Sequence, residues 1–298
     1  MRKIGILIDP HITDRHRCRK DNFLEVALAK LDYVASNNDF VIICGDLFHT
    51  NTNSHYIFNK VYKLFMKHKG KFFAIPGNHD LLHNNISMLE KTTLGSLALT
   101  GALNLYFDNF KIDDIEFQVS LVQKDLSKIP VDAENKKILI GHNYVELEGS
   151  PKESFTKDEI RQLNYKLVFL GHEHKPYEEE YLGNSTLIRM GSLTRIDTQV
   201  YNKERGIYYY QLDTKDMSYQ KVEVPHKKAE EIFTVEAYSH IGRKKEDVSF
   251  IEIGNVLSKF KKKDNVNNSL HTKLLKIANE KEIDYIKSLH EINNVRYF

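Results

Sequence analysis

The sequence predicts an α/β fold with mixed sheets, and three observations support this prediction. Short continuous runs of β-forming apolar residues recur between residues 4 and 170, as expected for strands that are buried on both faces. Segments with apolar residues at helical spacing separate the first three runs. Five of the runs stop at small groups of Asp, Asn and His residues, whose side chains are typical metal ligands.

The predicted strands and helices alternate at the start of the chain. We expect helices over residues 22–35 and 56–67, between the first three strands. This alternation is typical of βαβ units and predicts that these strands are parallel. The five strands that precede the ligand-type residues span residues 4–8, 40–44, 72–75, 138–140 and 167–170.

Two antiparallel hairpins are predicted in addition to the parallel strands. The first consists of two β-rich stretches within residues 103–122, separated by Asp108 and Asn109. The second joins residues 207–212 to residues 219–224 through a polar turn and ends at Pro225. Parallel and antiparallel pairs together predict mixed sheets.

The length of the chain allows one large domain and one small domain. The chain has 298 residues, of which 41% are hydrophobic, so it can bury a substantial core. Beyond Pro225 the sequence becomes rich in lysine, mostly helical in pattern and free of recognisable motifs. We therefore predict a main domain over residues 1–224 and a small accessory or capping domain over residues 225–298.

The sequence also gives an expectation for the cellular compartment. No stretch approaches the roughly 20 apolar residues that a membrane-spanning helix needs, and the first residues lead into a strand rather than a signal peptide. We therefore expect a cytoplasmic, intracellular protein that does not associate with membranes. Cys18 and Cys44 are too few for a disulfide framework, and Cys44 lies inside an apolar run.

The metal-ligand residue types lie directly after the predicted strands. In layered α/β folds the carboxyl ends of strands meet in one crevice, so these residues can converge although they are far apart in sequence. Two divalent ions held close together need several such ligands, and the arrangement suits hydrolysis of a phosphate ester. The lack of paired cysteines argues against a structural zinc site. The groups are Asp9-Pro10-His11, Gly45-Asp46, Gly77-Asn78-His79-Asp80, Gly141-His142 and Gly171-His172-Glu173-His174.

These five groups resemble, complete and in order, the sequence blocks of the calcineurin-like metallophosphoesterases over about residues 1–200. The resemblance implies a four-layer α/β-β/α sandwich that binds two divalent metal ions. It implies that Asp46 bridges the metals, that His79 stabilises or protonates the leaving oxygen, and that Asp80 orients His79 through a hydrogen bond. The ligands that it implies are Asp9, His11 and His174 for the first metal, and Asn78, His142 and His172 for the second.

The segment 38–54 further resembles the SbcD-type nucleases, which are subunits of double-strand-break processing complexes. In that family, a histidine in the place of His49 assists phosphodiester cleavage near the metals. The run His174-Lys175-Pro176 also matches the family. The first block differs from it, because Ile12-Thr13 replaces the usual Leu-Gly. A loop or helix-start histidine is the alternative interpretation of His49.

The resemblance implies a manganese-dependent DNA nuclease that acts in recombination, repair or phage DNA metabolism, as an exonuclease with or without endonuclease activity. The partners that it implies are DNA, an SbcC-type ATPase subunit and a second copy of the chain, which would dimerise through residues 56–64 or 86–97. A helix of the buried core is the alternative interpretation of either segment. Two alternatives stay open. One is a small-molecule or nucleotide phosphodiesterase of the same fold, and the other is a DNA-end-binding scaffold with little turnover.

The charge of the chain does not distinguish a DNA substrate from a small-molecule substrate. The net charge of +2 is lower than that of dedicated nucleic-acid-binding domains. Local basic clusters occur, and a solvated surface is an equally good explanation for each. Because the first cluster adjoins the first ligand group, we expect Arg15, Arg17 and Arg19 to line an approach to the metals. The clusters lie at residues 15–20, 227–228, 243–245 and 259–263.

Overall fold

The computed structural model describes residues 2–14, 18–121, 128–146 and 154–234. These residues all belong to one compact unit, which extends from Met1 to Ile241. Most of the predicted accessory domain, from residue 235 onward, lies outside the described residues, so that domain and its boundary stay predictions. Within the part of the chain described, no helix is both long enough and apolar enough to cross a membrane.

Twelve strands form two six-stranded sheets in the described residues. In chain order they are β1 (Lys3–Leu7), β2 (Phe40–Cys44), β3 (Phe72–Ile75), β4 (Asn104–Leu105), β5 (Phe110–Ile112), β6 (Ile115–Ser120), β7 (Ile138–His142), β8 (Leu167–Gly171), β9 (Glu180–Leu182), β10 (Ser185–Ile188), β11 (Tyr208–Asp213) and β12 (Tyr219–Glu223). The first sheet has the order β12-β11-β1-β2-β3-β4, and the second has the order β5-β6-β7-β8-β10-β9.

Both sheets are mixed, as the sequence predicts. Strands β1 to β4 are parallel to one another. Strand β11 pairs antiparallel with β1, and β12 pairs antiparallel with β11. In the second sheet, β6, β7, β8 and β10 are parallel, whereas β5 and β9 pair antiparallel at the two edges. The carboxyl ends of the parallel strands therefore meet at one edge of each sheet.

Five α-helices flank the sheets in the described part of the chain, and side chains cap the amino ends of the longer ones. Asn22 accepts a hydrogen bond from the Glu25 backbone N–H, and Ser54 accepts one from that of Ile57. These caps begin two of the helices close to the residues that the sequence predicts. The helices are α1 (Phe23–Ser36), α2 (His55–Lys67), α3 (Thr93–Leu99), α4 (Lys157–Leu163) and α5 (Ala229–Ile232).

The packing of side chains defines four layers. Ile42 of β2 and Phe169 of β8 share a buried cluster, so the two sheets pack face to face. Val41 alternates with Ile42 along β2 and packs instead with the outer helices α1, α2 and α3. On the other side, Val168 packs with Ile160 of α4. The order is therefore helices, sheet, sheet and helix, and the predicted four-layer α/β-β/α fold is confirmed.

The second predicted hairpin is confirmed as β11 and β12, but the first is wrong. Asn104–Leu105 pairs with β3 in the first sheet, and the chain then crosses to the second sheet, where β5 and β6 form the hairpin. The turn lies at Asp113, whose φ of 53° is the left-handed conformation that tight hairpin turns require. The turn of the hairpin therefore lies at residues 113–114 and not at the polar pair Asp108 and Asn109.

Candidate metal centre

The ligand-type residues lie in short loops that leave the carboxyl ends of strands from both sheets. Asp9, His11, Asp46 and His172 all have positive φ angles, between 46° and 90°. Such conformations are strained for residues other than glycine and are concentrated at functional sites. The loops thus turn sharply and direct side chains from different sheets towards one another.

Two glycines keep the loops close together. A Cβ atom at Gly45, where φ is +87°, would lie 2.0 Å from the His142 Nδ1 atom. A Cβ atom at Gly77 would lie 2.1 Å from the Asp46 Oδ1 atom. Because real side chains do not tolerate such distances, only glycine permits this approach at either position.

A first group of potential ligands consists of Asp9, His11 and His174. One ligand atom from each lies within 4.8 Å of the others. The Nε2 atoms of His11 and His174 are 3.0 Å apart. Asp9 is fixed in turn, because its Oδ2 atom accepts a hydrogen bond from the His172 backbone N–H at 2.9 Å.

A second group consists of Asp46, His142 and His172, again with ligand atoms within 4.8 Å of one another. The His142 Nε2 atom lies 3.2 Å from the Asp46 Oδ2 atom and 3.2 Å from the Asn78 Oδ1 atom. The His172 Nδ1 atom also lies 3.2 Å from His142 Nε2. The Asn78 side-chain oxygen thus lies beside this group.

Asp46 links the two groups. Its Oδ2 atom lies 3.2 Å from His142 Nε2 in the second group and 3.5 Å from His11 Nε2 in the first. Its other oxygen accepts a hydrogen bond from the His79 backbone N–H at 2.9 Å. The carboxylate that sequence reasoning assigns as a bridge therefore lies between both sets of imidazoles.

The donor set fits divalent cations. Asp9, His11, Asp46 and His142 are each at most 1% exposed. Asp9 Oδ1, Asp46 Oδ2 and His11 Nδ1 are buried and have no hydrogen-bond partner in the described residues. Several lone-pair atoms thus face one another at hydrogen-bonding distance without enough protons to join them. A shared cation satisfies such atoms, and imidazole with carboxylate suits late divalent metals.

The pKa values in the cluster show strong coupling. Burial raises the pKa of Asp9 to about 6, although the charge of His142 acts against this rise. Burial also disfavours a charge on His142, but the charges of Asp46 and Asp9 outweigh it and raise the pKa of His142 to about 10. Burial, and then the charge of His142, lowers the pKa of His172 to about 3. The cluster thus holds one proton on His142, which a bound metal ion would displace.

His79 lies beside the two groups. Its ring centroid is 4.9 Å from that of His11. Its Nδ1 atom donates a hydrogen bond to the backbone carbonyl of His49 at 2.7 Å. This bond fixes the orientation of the ring and places the proton of a neutral imidazole on Nδ1, so that Nε2 is unprotonated.

The role that the sequence assigns to Asp80 is wrong. Its carboxylate accepts hydrogen bonds from the backbone N–H groups of Leu47, Phe48 and Gly77, at 3.1, 2.9 and 3.0 Å. The side chain is completely buried. Asp80 therefore holds the loops after β2 and β3 together, and the His49 carbonyl orients the His79 ring instead. A carboxylate in this position satisfies backbone donors that would otherwise be buried without partners.

His49 is close to the same cluster. Its ring stacks on His79 with centroids 5.4 Å apart and lies 5.5 Å from the His11 ring. Its backbone N–H donates to the carbonyl of Ile12 at 3.1 Å, which ties the loop after β2 to the loop after β1. His11, His49 and His79 also form a group with ligand atoms within 4.8 Å. The structure thus brings together the three histidines that the sequence places in different loops.

Two neighbours of the cluster were not predicted from the sequence. Tyr144 packs edge-on against His172 with ring centroids 3.8 Å apart, and it is 37% exposed. Asp197 lies 3.8 Å from the Nδ1 atom of His174. The proximity of Tyr144 to His142 in sequence was a usable signal. Asp197 lies in a loop without any strand-end pattern, so no sequence signal pointed to it.

The expectation for the first basic cluster is partly wrong. Arg15 and Arg17 lie outside the described residues, as do the basic clusters at 243–245 and 259–263. The Arg19 side chain is 2% exposed and forms a bidentate ion pair with Asp21, with both N–O distances 2.7 Å. The Arg19 side chain is therefore buried against a carboxylate partner and is not part of an open basic surface.

Comparison with known proteins agrees with this site. Residues 9–176 match the family described as Calcineurin-like phosphoesterase, and the chain belongs to this family. Fold and site therefore define a metallophosphoesterase. The chain is also 27% identical, over 203 residues, to the DNA double-strand break repair protein Mre11 of Archaeoglobus fulgidus. That match covers 57% of this chain and 44% of the relative, so the chain spans less than half of that protein's length.

Solved structures also resemble this chain. A protein of Thermus thermophilus matches 75% of this chain and 99% of its own, with 15% identity and a TM-score of 0.45. A structure described as a novel archaeal phosphodiesterase matches 74% of this chain and 99% of its own, with 17% identity and a TM-score of 0.39.

Proposed function

We propose that this protein is a metal-dependent DNA nuclease that hydrolyses phosphodiester bonds with two divalent ions. The observation that carries the proposal is the contact between His49 and His79 at the edge of the metal cluster. The His79 ring is oriented by the backbone of the residue whose counterpart in SbcD-type nucleases assists cleavage. The 27% identity to an archaeal Mre11 supports the same substrate class.

The proposed ligands follow from the two groups. The first metal would be held by Asp9, His11 and His174, the second by Asn78, His142 and His172, and both by Asp46. When bound, such a pair supplies an activated water and neutralises charge on the phosphoryl group. We propose manganese, because an imidazole-rich set suits later divalent metals better than magnesium, which prefers oxygen ligands.

The chain's own residues would contribute proton transfer and positioning. His79 keeps its ring orientation through the bond to the His49 carbonyl. In a protonated ring Nε2 would carry the proton that the leaving oxygen needs, and general acids of this kind contribute typically 10²–10⁴-fold to a rate. Asp80 would act indirectly, because it fixes the backbone on either side of Asp46 and His79.

The experiment that tests this function compares two substrates. Metal-free protein is reloaded with manganese or magnesium and incubated with end-labelled DNA and with a small chromogenic phosphodiester. We expect cleavage of both substrates with manganese, and much faster cleavage of DNA. Cleavage of nucleotides or of the small diester without cleavage of DNA would indicate the alternative, a nucleotide phosphodiesterase. DNA binding without turnover would indicate an end-binding scaffold.

His49 provides the most specific variant in this experiment. We expect His49→Ala to lower DNA cleavage, because the His49 ring stacks on His79 at the edge of the metal cluster. His55→Ala is the matched control, since His55 is an exposed histidine at the start of α2. Wild-type DNA cleavage by His49→Ala would contradict the role of His49 and weaken the nuclease proposal.

The proposed partners are DNA, an SbcC-type ATPase subunit and a second copy of the chain. Both of the segments predicted for dimerisation carry an exposed apolar side chain, Tyr56 at 53% and Ile86 at 41% exposure. Light scattering of the wild type and of Tyr56→Glu tests the first surface. A monomer in both cases would remove dimerisation through α2 from the proposal.

A further inference from the structure

A cavity of about 450 Å³ is bordered by the loop that follows β10. Its walls come from α1, from the loop after β10 and from the residues after β12. The proposed metal ligands are absent from its lining, so it is separate from the metal centre. Its size is typical of sites for small molecules.

Buried cations surround this cavity. Lys30 is 5% exposed, although lysine is rarely buried without a charged partner. Its ammonium group donates a hydrogen bond to the Leu193 carbonyl at 2.9 Å, one acceptor for a group with three N–H donors. The cavity is thus bordered by a lysine amine whose hydrogen-bonding capacity is only partly used within the described residues.

Two guanidinium groups near Lys30 are bonded to neutral oxygens. Arg195 is 3% exposed and donates to the carbonyls of Asn202, Lys227 and Arg205. Arg205 is 9% exposed and donates to the Asn202 side chain and to the oxygens of Ser192 and Thr194. These bonds satisfy the N–H groups but leave the positive charges without a bonded anion.

The carboxylate on the cavity wall is already engaged. Asp21 is the acidic residue among the described residues that line the cavity, and both of its oxygens are bonded to Arg19. Arg195 and Arg205 are therefore two buried cations without a bonded carboxylate, and the Lys30 amine packs beside them. Buried charges of one sign are costly unless a counter-ion compensates them.

The protonation of Lys30 agrees with a missing anion. Burial, followed by the charges of Arg205 and Arg195, lowers the pKa of Lys30 well below its ordinary value. An anion placed beside these groups would reverse the repulsion and restore the charge of the lysine. The apolar part of the wall, with Val26, Tyr33 and Pro225, would contact an uncharged portion of the same ligand.

We propose that this cavity binds a nucleoside phosphate, with the phosphate between Lys30 and Lys227 and the nucleoside against Tyr33 and Pro225. A phosphate supplies a negative charge near the two buried guanidinium groups and acceptor oxygens for the remaining donors of Lys30. The nucleoside fits a wall that is apolar and aromatic. The inference concerns binding and does not depend on the proposed nuclease activity.

The position of the cavity connects it to the first metal group. The loop that accepts the Lys30 hydrogen bond continues to the metal site, since Leu193 donates its N–H to the Ile8 carbonyl and Ser192 donates to the His174 carbonyl. A ligand held by Lys30 would therefore contact a loop whose other side supports His174. Occupation of the cavity is expected to change metal affinity, and metal binding to change ligand affinity by the same factor.

Calorimetric titration of metal-free protein in chelator tests the proposal, because the metal centre then cannot hold the phosphate. The probes are AMP, ADP, adenosine and inorganic phosphate. We expect AMP or ADP to bind with one site per chain, and adenosine and phosphate alone to bind at least about tenfold more weakly, since each loses one class of contact. This binding is measured without any cleavage, so its failure is distinct from failure of the nuclease proposal.

Two variants and one control locate the site. Lys30→Gln and Lys227→Gln should each weaken AMP or ADP binding about tenfold, the effect of roughly one lost charged contact. Lys227 is exposed, so its variant is informative even if Lys30→Gln fails to fold. Lys63→Gln, an exposed lysine on α2 that does not line the cavity, should bind normally.

Three results would overturn the proposal. The first is the absence of nucleotide binding to metal-free protein, and the second is unchanged affinity in Lys227→Gln. The third is inorganic phosphate that binds as tightly as AMP and ADP, which would leave an anion site without a nucleoside. If AMP and ADP do not bind but a short single-stranded oligonucleotide does, the ligand of the cavity is a DNA strand and not a nucleoside phosphate.

Discussion

The ring of His79 is held by the backbone of His49, through a hydrogen bond of 2.7 Å from Nδ1 to the carbonyl oxygen. The two rings also stack, with centroids 5.4 Å apart and planes inclined by 23°. The loop after β2 therefore orients the side chain that follows Asn78 in the loop after β3. The proton transfer proposed for His79 would thus depend on the conformation of a neighbouring loop as well as on the residue itself.

We predict that His79→Ala keeps both metals but lowers the rate of DNA cleavage by roughly 10²–10⁴-fold, as expected for loss of a general acid. The reason is that the His79 ring contacts the cluster through His11. His79 belongs neither to the group that contains Asp9 nor to the group that contains Asp46. Single-turnover kinetics and metal analysis of the same preparation measure both effects. Loss of a metal together with the activity would assign His79 to the ligand shell.

We predict that Asp46→Ala binds fewer than two metals per chain and has no measurable activity. Its carboxylate lies within 3.5 Å of imidazole nitrogens in both groups and also accepts the His79 backbone N–H. Elemental analysis of the chelated and reloaded protein measures the stoichiometry. Asp158→Ala, which removes an exposed carboxylate on α4, is the control and should retain both metals. Two tightly bound metals in Asp46→Ala would show that this carboxylate does not bridge them.

We predict that Gly45→Ala disrupts the second metal site specifically. The new Cβ atom would meet the His142 ring at 2.0 Å, so the imidazole must move away from Asp46. Gly70→Ala is the matched control, because Gly70 also has a positive φ, of +81°, but has no atom within 4 Å of the added Cβ. The control should lose only about 1–2 kcal/mol of stability from left-handed strain and should bind both metals. Equal metal binding by both variants would contradict the proposed position of His142.

We predict that the metal-free protein becomes less stable as the pH rises from about 6.5 towards 9. The pKa of His142 is raised from 6.5 to about 10 in the folded state, so its stabilising contribution is complete below the unfolded value and is lost as the pH rises towards the folded one. Manganese should remove this trend, because it replaces the proton on His142. Thermal unfolding of metal-free and metal-loaded protein across this range measures the difference. A metal-free protein whose stability rises over the same range would contradict the assigned protonation of His142.

The sequence by itself determined the strands that carry the site and the residues that follow them. Strands β2 and β3 begin and end at the predicted residues, because a strand that is buried on both faces leaves an uninterrupted apolar run between polar loops. Asp9, Asp46 and Asn78 follow such runs in one sheet, and His142 and His172 end or follow such runs in the other. The rule that parallel strands share a carboxyl edge predicts that the residues of each sheet lie together, and the face-to-face packing of the sheets brings the two edges into one site.

Tertiary structure decided how those strands divide between two sheets and what the neighbouring side chains do. No local pattern assigns β4 to one sheet and β5 to the other, because β4 joins its sheet by pairing with β3, a segment that is distant in sequence. Asp80 and Arg19 are polar in sequence, yet the side chains of both are buried and bonded within the protein. Their roles depend on partners that the sequence pattern does not indicate, and only the packed structure brings those partners within hydrogen-bonding distance.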